Sequence, residues 1–156
     1  RDVAPSRGLG DVYKRQEVRG WMNHLLDRVE RLNRPCCLSH IDSVADNFLF
    51  LPDGTVRLID WEYSAMHDPL IDISMCSIYS YYDAEELDRL LEVYLERIPT
   101  PEERIATYAY AALGGFLWCL WAVFKSTEGE EFGEYTIIMY HYAKHYYKRI
   151  ARLFPD

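Results

Sequence analysis

At 156 residues and 49% hydrophobic content, the chain is long enough to bury one core, and we expect a single domain. Its 25 acidic and 17 basic side chains give a net charge of -8. This balance argues against a nucleic-acid partner and favours a cationic small molecule. The four cysteines show no C-x-x-C spacing, and residues 1–16 lack the apolar run of a secretory signal, so we expect a reduced, cytoplasmic protein.

The first 16 residues show neither helical nor strand periodicity, and we expect an unstructured leader over residues 1–16. Its run GLGDVYKRQ also resembles translated sequencing-adapter remnants, so we expect these residues not to be native. From Glu17, apolar residues recur at helical spacing. They predict a helix that ends near Asn33, because Pro35 disfavours the helical conformation in the residue before it.

Two short apolar runs, residues 48–51 and 56–59, follow this helix and are joined by the sequence Pro-Asp-Gly-Thr. Proline presets a bend and glycine accepts a positive φ, so the pattern predicts a small β-hairpin. Its first strand begins just after Asn47 and its second ends just before Asp60. Strand pairing is therefore expected to bring Asn47 and Asp60 together.

The rest of the chain predicts four helices. The first two are expected over residues 70–82 and from a cap at Asp83 to Pro99, and the last two over residues 101–125 and from about Glu131. The predicted fold class is α+β, mostly helical, with one small hairpin. No internal repeat or low-complexity tract is present.

Residues 105–124 carry no charge and are about long enough to cross a bilayer. Against a membrane span, this segment contains Thr107, two tyrosines and the pair Gly114-Gly115, and a helix cap typical of soluble proteins precedes it at Thr100. We therefore predict a buried core helix and no membrane span.

The candidate catalytic and metal-binding residues lie between the first predicted helix and the residues just after the hairpin. Phosphoryl transfer needs a carboxylate that orients the acceptor hydroxyl and accepts its proton, and oxygen ligands that hold Mg²⁺ on the phosphates. Asp42 and Asn47 supply a carboxylate and an amide on one loop, and Asp60 supplies an anionic magnesium ligand. If the chain stays extended, Glu62 points to the same side as Asp60 and could contact the metal or a cationic substrate.

These residues form two motifs that together resemble a known superfamily. H-x-D-x-x-x-x-N begins at His40, and IDWEYS begins at Ile59. In this order they resemble the catalytic loop and metal-binding segment of choline/ethanolamine kinases and aminoglycoside phosphotransferases. The IDWEYS string is most similar to bacterial choline kinases of the LicA type.

The resemblance implies a protein-kinase-like C-terminal lobe over residues 17–156, with the hairpin carrying the catalytic and metal-binding loops. It implies ATP and Mg²⁺ as cofactors and choline or ethanolamine as the acceptor. By residue, it implies a catalytic loop with Asp42 as base and His40 as its support, magnesium ligands Asn47 and Asp60, and Asp72 as the residue that braces the loop.

Aromatic residues indicate where a cation would bind. Trp118 and Trp121 are three residues apart and lie on one helical face, where two indoles can hold a quaternary ammonium by cation–π attraction. A tryptophan pair on a buried helix is also typical of a core, and both interpretations stay open. Further substrate-binding candidates are Glu62, Tyr63 and Tyr79; many choline kinases carry a glutamate where Tyr79 falls.

Neither a glycine-rich phosphate cover nor a strand lysine paired with a helix glutamate precedes Glu17. We therefore expect that the N-terminal nucleotide-binding lobe is absent and that this chain alone is inactive. Two alternatives remain: an aminoglycoside-type phosphotransferase, and a lobe that binds a cation without catalysis.

Overall fold

The computed structural model describes residues 6–156, with side chains from Gln16 onward. Within this range the chain is mostly helical with short strands, which confirms the predicted fold class. The elements, in order, are α1 (Ser6–Leu32), β1 (Cys37–Ser39), a 3-10 turn (Ala45–Asn47), β2 (Phe48–Phe50), β3 (Val56–Leu58), β4 (Ala65–His67), α2 (Leu70–Tyr79), α3 (Ala84–Leu95), α4 (Pro101–Ser126) and α5 (Tyr135–Leu153).

Helix α1 begins well before the position that its apolar pattern predicted. Residues 1–5 of the expected unstructured leader lie outside the described residues, and the backbone of residues 6–16 is helical, contrary to that expectation. Val18, Met22 and Leu25 are buried in the core and fix the helix. Once a helix is fixed, each added residue gains a backbone hydrogen bond without a second nucleation cost, so helix extends beyond the apolar face.

Helix α4 is the centre of the core, and α1, α2 and α5 pack against it. It begins with the predicted cap: Thr100 accepts from the Glu103 N–H at 3.2 Å, and Glu103 accepts from the Thr100 N–H at 2.8 Å. Two glycines let the neighbouring helices approach. A Cβ at Gly115 would lie 2.7 Å from the backbone oxygen of Met139 in α5, and one at Gly114 would lie 2.6 Å from the Met75 sulfur in α2.

By length and composition, α4 is also the one helix in the described part of the chain that could cross a membrane. Of its most apolar 18-residue window, 56% is buried inside the protein. This burial favours the predicted core helix.

The predicted hairpin is confirmed. Strands β2 and β3 pair antiparallel, with Phe48 opposite Leu58 and Phe50 opposite Val56. In the connecting turn Gly54 has φ 84°, a conformation that glycine adopts without a Cβ clash.

A second antiparallel pair, β1 with β4, was not predicted. No helix or strand was predicted for residues 65–67. A strand of three residues is too short to show a period of two in its sequence. Residues 65–67 form a strand because they pair with Cys37–Ser39, which is distant in the chain.

Three helix ends differ from the predictions because single residues adopt a left-handed backbone. Tyr81 at φ 57° follows the end of α2, Glu96 at φ 54° ends α3, and Gly133 at φ 52° precedes α5. A left-handed residue cannot continue a right-handed helix. These helices therefore occupy shorter spans than their apolar patterns indicate.

Candidate active site

The loop that follows β1 is held by Asp72 at the start of α2. The Asp72 carboxylate accepts the N–H of His40 at 3.0 Å and the N–H of Ile41 at 2.6 Å, and its backbone carbonyl accepts the Ser43 hydroxyl at 2.7 Å. Ile41 has φ 70°, which is rare and costly for a β-branched residue. These three hydrogen bonds hold the loop in this strained shape, and the bracing role of Asp72 in catalysis stays a prediction.

The predicted base and the predicted amide ligand are in direct contact. Asn47 Nδ2 donates to the Asp42 backbone oxygen at 2.9 Å and to Asp42 Oδ2 at 3.2 Å. Because the amide nitrogen must be the donor, the Asn47 Oδ1 atom is left to face other ligands. Asn47 is buried and Asp42 is partly exposed, so the carboxylate remains accessible while the amide fixes it.

The hairpin and His40 together place Asp60 beside this pair. The Ile59 N–H donates to the Asn47 backbone oxygen at 3.0 Å, which joins the two ends of the hairpin. His40, only 1% exposed, contacts the Ile59 carbonyl through Nε2 at 2.7 Å. Since a carbonyl only accepts, Nε2 donates, and His40 links the loop that follows β1 to the segment that carries Asp60.

The donor set fits a magnesium ion held mainly by phosphates. Asp60 is exposed, has φ 62°, and among residues 17–156 no side chain pairs with its carboxylate. The described residues contain no cluster of three or more His, Cys, Asp or Glu side chains that could hold a metal ion. Mg²⁺ commonly binds one or two carboxylates and completes its coordination with substrate phosphates and water, a pattern that Asn47 Oδ1 and Asp60 match.

Glu62 does not lie as the sequence suggested. Its predicted alignment with Asp60 required an extended chain, whereas residues 61–64 form a turn closed by the Ser64 N–H on the Trp61 carbonyl at 3.0 Å. The Glu62 side chain is exposed and does not line the cavity described next.

A cavity of about 630 Å³ opens beside Asp42. One wall is α1, a second is α4, and the third comprises the β4 region and the start of α2. Four predicted site residues, Asp42, Tyr63, Trp118 and Trp121, line this cavity. The structure therefore brings the predicted base and most of the predicted aromatic candidates to one space.

The aromatic residues contact one another through their ring edges. Trp118 meets Trp121 at a centroid distance of 5.5 Å and an interplanar angle of 81°, and Tyr63 meets Trp118 at 6.3 Å and 83°. Phe132 continues the series from Trp121 at 5.2 Å. Trp118 is partly buried and Trp121 exposed, so the pair forms a wall of the cavity and is not closed off in the core.

Tyr79 lies behind this wall. Its ring is 6.0 Å from that of Trp118, and it does not line the cavity. Burial and the neighbouring Asp42 carboxylate raise the pKa of Tyr79 well above its usual value. Burial, Tyr81 and Asp42 likewise raise the pKa of Tyr135 to about 12. Both phenols stay neutral at physiological pH, and Asp42 faces neutral aromatic groups on this side.

Several cavity residues were not predicted. Asp68 is buried and pairs with Arg34 at 2.5 Å, and the Tyr110 hydroxyl donates to the same carboxylate at 3.3 Å. Glu30 on α1 also lines the cavity. No local pattern in the sequence indicated that Glu30 and Arg34 would line the same cavity as Asp68, which lies 34 residues after Arg34.

Comparisons with known proteins identify the family of this chain. Residues 3–108, more than half of the chain, match the model of the phosphotransferase enzyme family. Protein LicA of Haemophilus influenzae is 35% identical over 114 residues, which are 69% of this chain and 41% of that protein.

Two solved structures are similar in fold. The choline kinase LicA from Streptococcus pneumoniae superposes with a TM-score of 0.71 at 33% identity, over 86% of this chain and 47% of that one. A structure of LicA in complex with AMP superposes with a TM-score of 0.70 at 31% identity, over 86% and 46%. The chain spans less than half the length of these relatives. The resemblance that the motifs indicated is confirmed, and the chain belongs to the phosphotransferase enzyme family.

Proposed function

We propose that this chain is the C-terminal lobe of a kinase that transfers the γ-phosphoryl group of ATP to the hydroxyl of choline or ethanolamine. One observation carries the proposal: Asp42, Tyr63, Trp118 and Trp121 line the same cavity. A carboxylate and an aromatic wall in one space suit an alcohol that also bears a cationic ammonium group.

In the proposed reaction, Asp42 accepts a hydrogen bond from the acceptor hydroxyl, orients it toward the phosphate, and takes its proton as the new P–O bond forms. Asn47 holds the carboxylate in place through its 3.2 Å hydrogen bond. Asn47 Oδ1 and Asp60 would hold Mg²⁺, which neutralises charge on the nucleotide phosphates when bound. His40 and Asp72 position the loop and touch no substrate in this scheme.

The acceptor ammonium would lie against the tryptophans. Cation–π attraction is strongest when the cation has lost part of its hydration shell, as it does in an apolar cavity. Tyr63 extends the wall at the turn that follows Asp60. Glu62 is exposed outside the cavity and would act only as a remote negative charge.

Nucleotide binding is proposed to depend on a second lobe. Residues 17–156 include neither a glycine-rich phosphate cover nor a strand lysine paired with a helix glutamate. The AMP complex of the related LicA protein supports ATP as the donor. We therefore propose that the 156-residue chain alone has no useful ATP affinity and no turnover. We further propose a cytoplasmic setting with α4 as a core helix, which the free thiols of the described structure support.

The test is a chimera in which this chain replaces the matching region of the Streptococcus pneumoniae choline kinase. With ATP and Mg²⁺, the chimera should phosphorylate choline or ethanolamine, and Asp42→Asn should lower turnover by about a hundredfold or more. Asp46→Asn, an exposed acid on the same loop, is the matched control and should leave turnover unchanged.

Two outcomes would contradict the proposal. Transfer to kanamycin with none to choline or ethanolamine would favour an aminoglycoside phosphotransferase. Choline binding with unchanged affinity in Asp42→Asn, and no transfer by a chimera that binds ATP, would favour a lobe that binds a cation without catalysis.

A further inference from the structure

The cavity beside Asp42 is larger than a choline-sized acceptor needs. Its volume of about 630 Å³ falls within the range of roughly 300–1,000 Å³ that drug-sized ligands occupy. Its walls run along helices: Leu26, Val29 and Glu30 lie on one face of α1, and Leu117 and Trp121 lie on one face of α4. A small acceptor at Asp42 and Trp118 would leave much of this space unfilled.

The charges of the cavity favour a cation. Arg34 is the lining residue with a permanent positive charge, and it is paired with the buried Asp68 carboxylate. The remaining lining carboxylates, Asp42 and Glu30, have no cationic partner among residues 17–156. Two uncompensated negative charges in a largely apolar space attract positive ligands.

The outer part of the cavity is apolar and open to solvent. Leu26, Met66 and Leu117 line it although they are 47%, 66% and 60% exposed. These three residues form a lip, and the deeper lining at Met75 and Tyr110 is buried. Exposed apolar residues that line a pocket are typical of a site for an apolar ligand group.

We propose that this protein, besides choline, accepts cationic alcohols with a longer apolar substituent on the nitrogen and binds them more tightly, with that substituent along the lip of Leu26, Met66 and Leu117. The inference rests on the proposed function, which places the hydroxyl at Asp42 and the ammonium at Trp118. It adds a class of acceptor in which one substituent on the nitrogen is an alkyl chain longer than the methyl group of choline.

Binding to the 156-residue chain tests this inference without turnover. Isothermal titration with choline is compared with N-butyl-N,N-dimethyl-2-hydroxyethylammonium, which is too short to form micelles. Each fully buried methylene strengthens binding roughly fourfold. With part of the chain exposed at the open lip, the butyl probe should bind about tenfold more tightly than choline. The carbon isostere 3,3-dimethylheptan-1-ol should bind more weakly than the butyl cation, because it carries no charge.

A pair of variants on α4 locates the contact. Leu117→Ser should weaken binding of the butyl probe by about fivefold and leave choline binding unchanged. Leu120→Ser is the matched control: Leu120 is exposed on the same helix but does not line the cavity, and its substitution should change neither affinity.

The outcomes separate this inference from the proposed function. Choline binding that is equal to or tighter than that of the butyl probe overturns the apolar substituent and leaves the proposed acceptor intact. Binding of neither cation overturns both, and another part of the protein or a second copy would then be expected to cover the lip. Equal losses in Leu117→Ser and Leu120→Ser overturn the placement of the chain along the lip.

Discussion

The backbone N–H of Ile41 donates a 2.6 Å hydrogen bond to the carboxylate of Asp72, which lies 31 residues further along the chain. Ile41 adopts a left-handed conformation that an isoleucine rarely takes in a folded protein. The bond therefore ties the strained loop that carries Asp42 to the first turn of α2. Asp72 makes this contact although it does not itself line the cavity.

Removal of this acid should cost stability. Asp72→Ala leaves the N–H groups of His40 and Ile41 without their acceptor, and hydrogen bonds to charged groups contribute about 1.5–3 kcal/mol each. We expect the free energy of unfolding, measured by urea denaturation, to fall by about 2 kcal/mol or more. Asp46→Ala, at an exposed acid of the same loop, should change it by less than about 0.5 kcal/mol. Equal effects of the two substitutions would refute the bracing role.

The two glycines of α4 should differ in their tolerance of alanine. A Cβ at Gly115 would lie 2.7 Å from the backbone oxygen of Met139 and 2.9 Å from the Tyr142 Cβ. Both residues belong to α5, so α5 must shift to make room. We expect Gly115→Ala to lower the free energy of unfolding by about 1–3 kcal/mol, as overpacking does.

At Gly114 the close atom is the end of the flexible Met75 side chain, which can move. Alanine also favours helix by about 1 kcal/mol over glycine, so Gly114→Ala should be close to neutral. Thermal unfolding of the two variants checks the contrast. A larger loss at Gly114 than at Gly115 would contradict the helix packing described above.

The start of α4 should make the fold sensitive to acid. Hydrogen bonds from Arg97, and further from the Thr100 N–H, lower the pKa of Glu103 from 4.5 to about 2. A folded-state pKa below the unfolded value stabilises the fold above pH 4.5, and this stabilisation is lost as pH falls from about 4.5 toward 2. The stability difference between the unmodified chain and Glu103→Gln should therefore be largest near neutral pH and shrink through this window.

Urea denaturation between pH 7 and 2.5 measures this difference. Glu102→Gln, at an exposed neighbour on the same turn, is the control and should follow the unmodified chain at all pH values. A gap between the unmodified chain and Glu103→Gln that does not depend on pH would show that the carboxylate charge is not what stabilises the start of α4.

Trp118 should contribute directly to cation binding. Cation–π contacts are worth about 0.5–2 kcal/mol, so Trp118→Leu should weaken choline binding by between twofold and thirtyfold in calorimetry. Trp21 stacks on Tyr147 at 4.7 Å, away from the cavity, and Trp21→Phe is the control. Unchanged choline affinity in Trp118→Leu would mean that the indole is a packing residue, the alternative that the sequence left open.

Local sequence patterns correctly predicted where α3 and α4 begin, because the caps of these helices involve only residues close together in the sequence. The capping boxes at Asp83 and Thr100 formed as expected, since each needs only residues three apart. The hairpin formed for the same reason, with its turn chemistry within four residues. The pairing of β1 with β4 joins residues about 28 apart, and no local pattern could have indicated it. The left-handed ends at Tyr81 and Glu96 were equally invisible to periodicity.

The sequence by itself determined the family of this protein, because the two motifs that contain His40, Asp42, Asn47 and Asp60 indicated the phosphotransferases. Only the tertiary structure decided which of the candidates share one space. It placed Trp118 and Trp121 beside Asp42, left Glu62 outside, and added Glu30, Arg34 and Asp68 to the lining. The reason is physical. A motif is recognised from residues that lie near one another in the sequence, whereas this cavity arises from the packing of α1, α2 and α4, which are distant from one another in the chain.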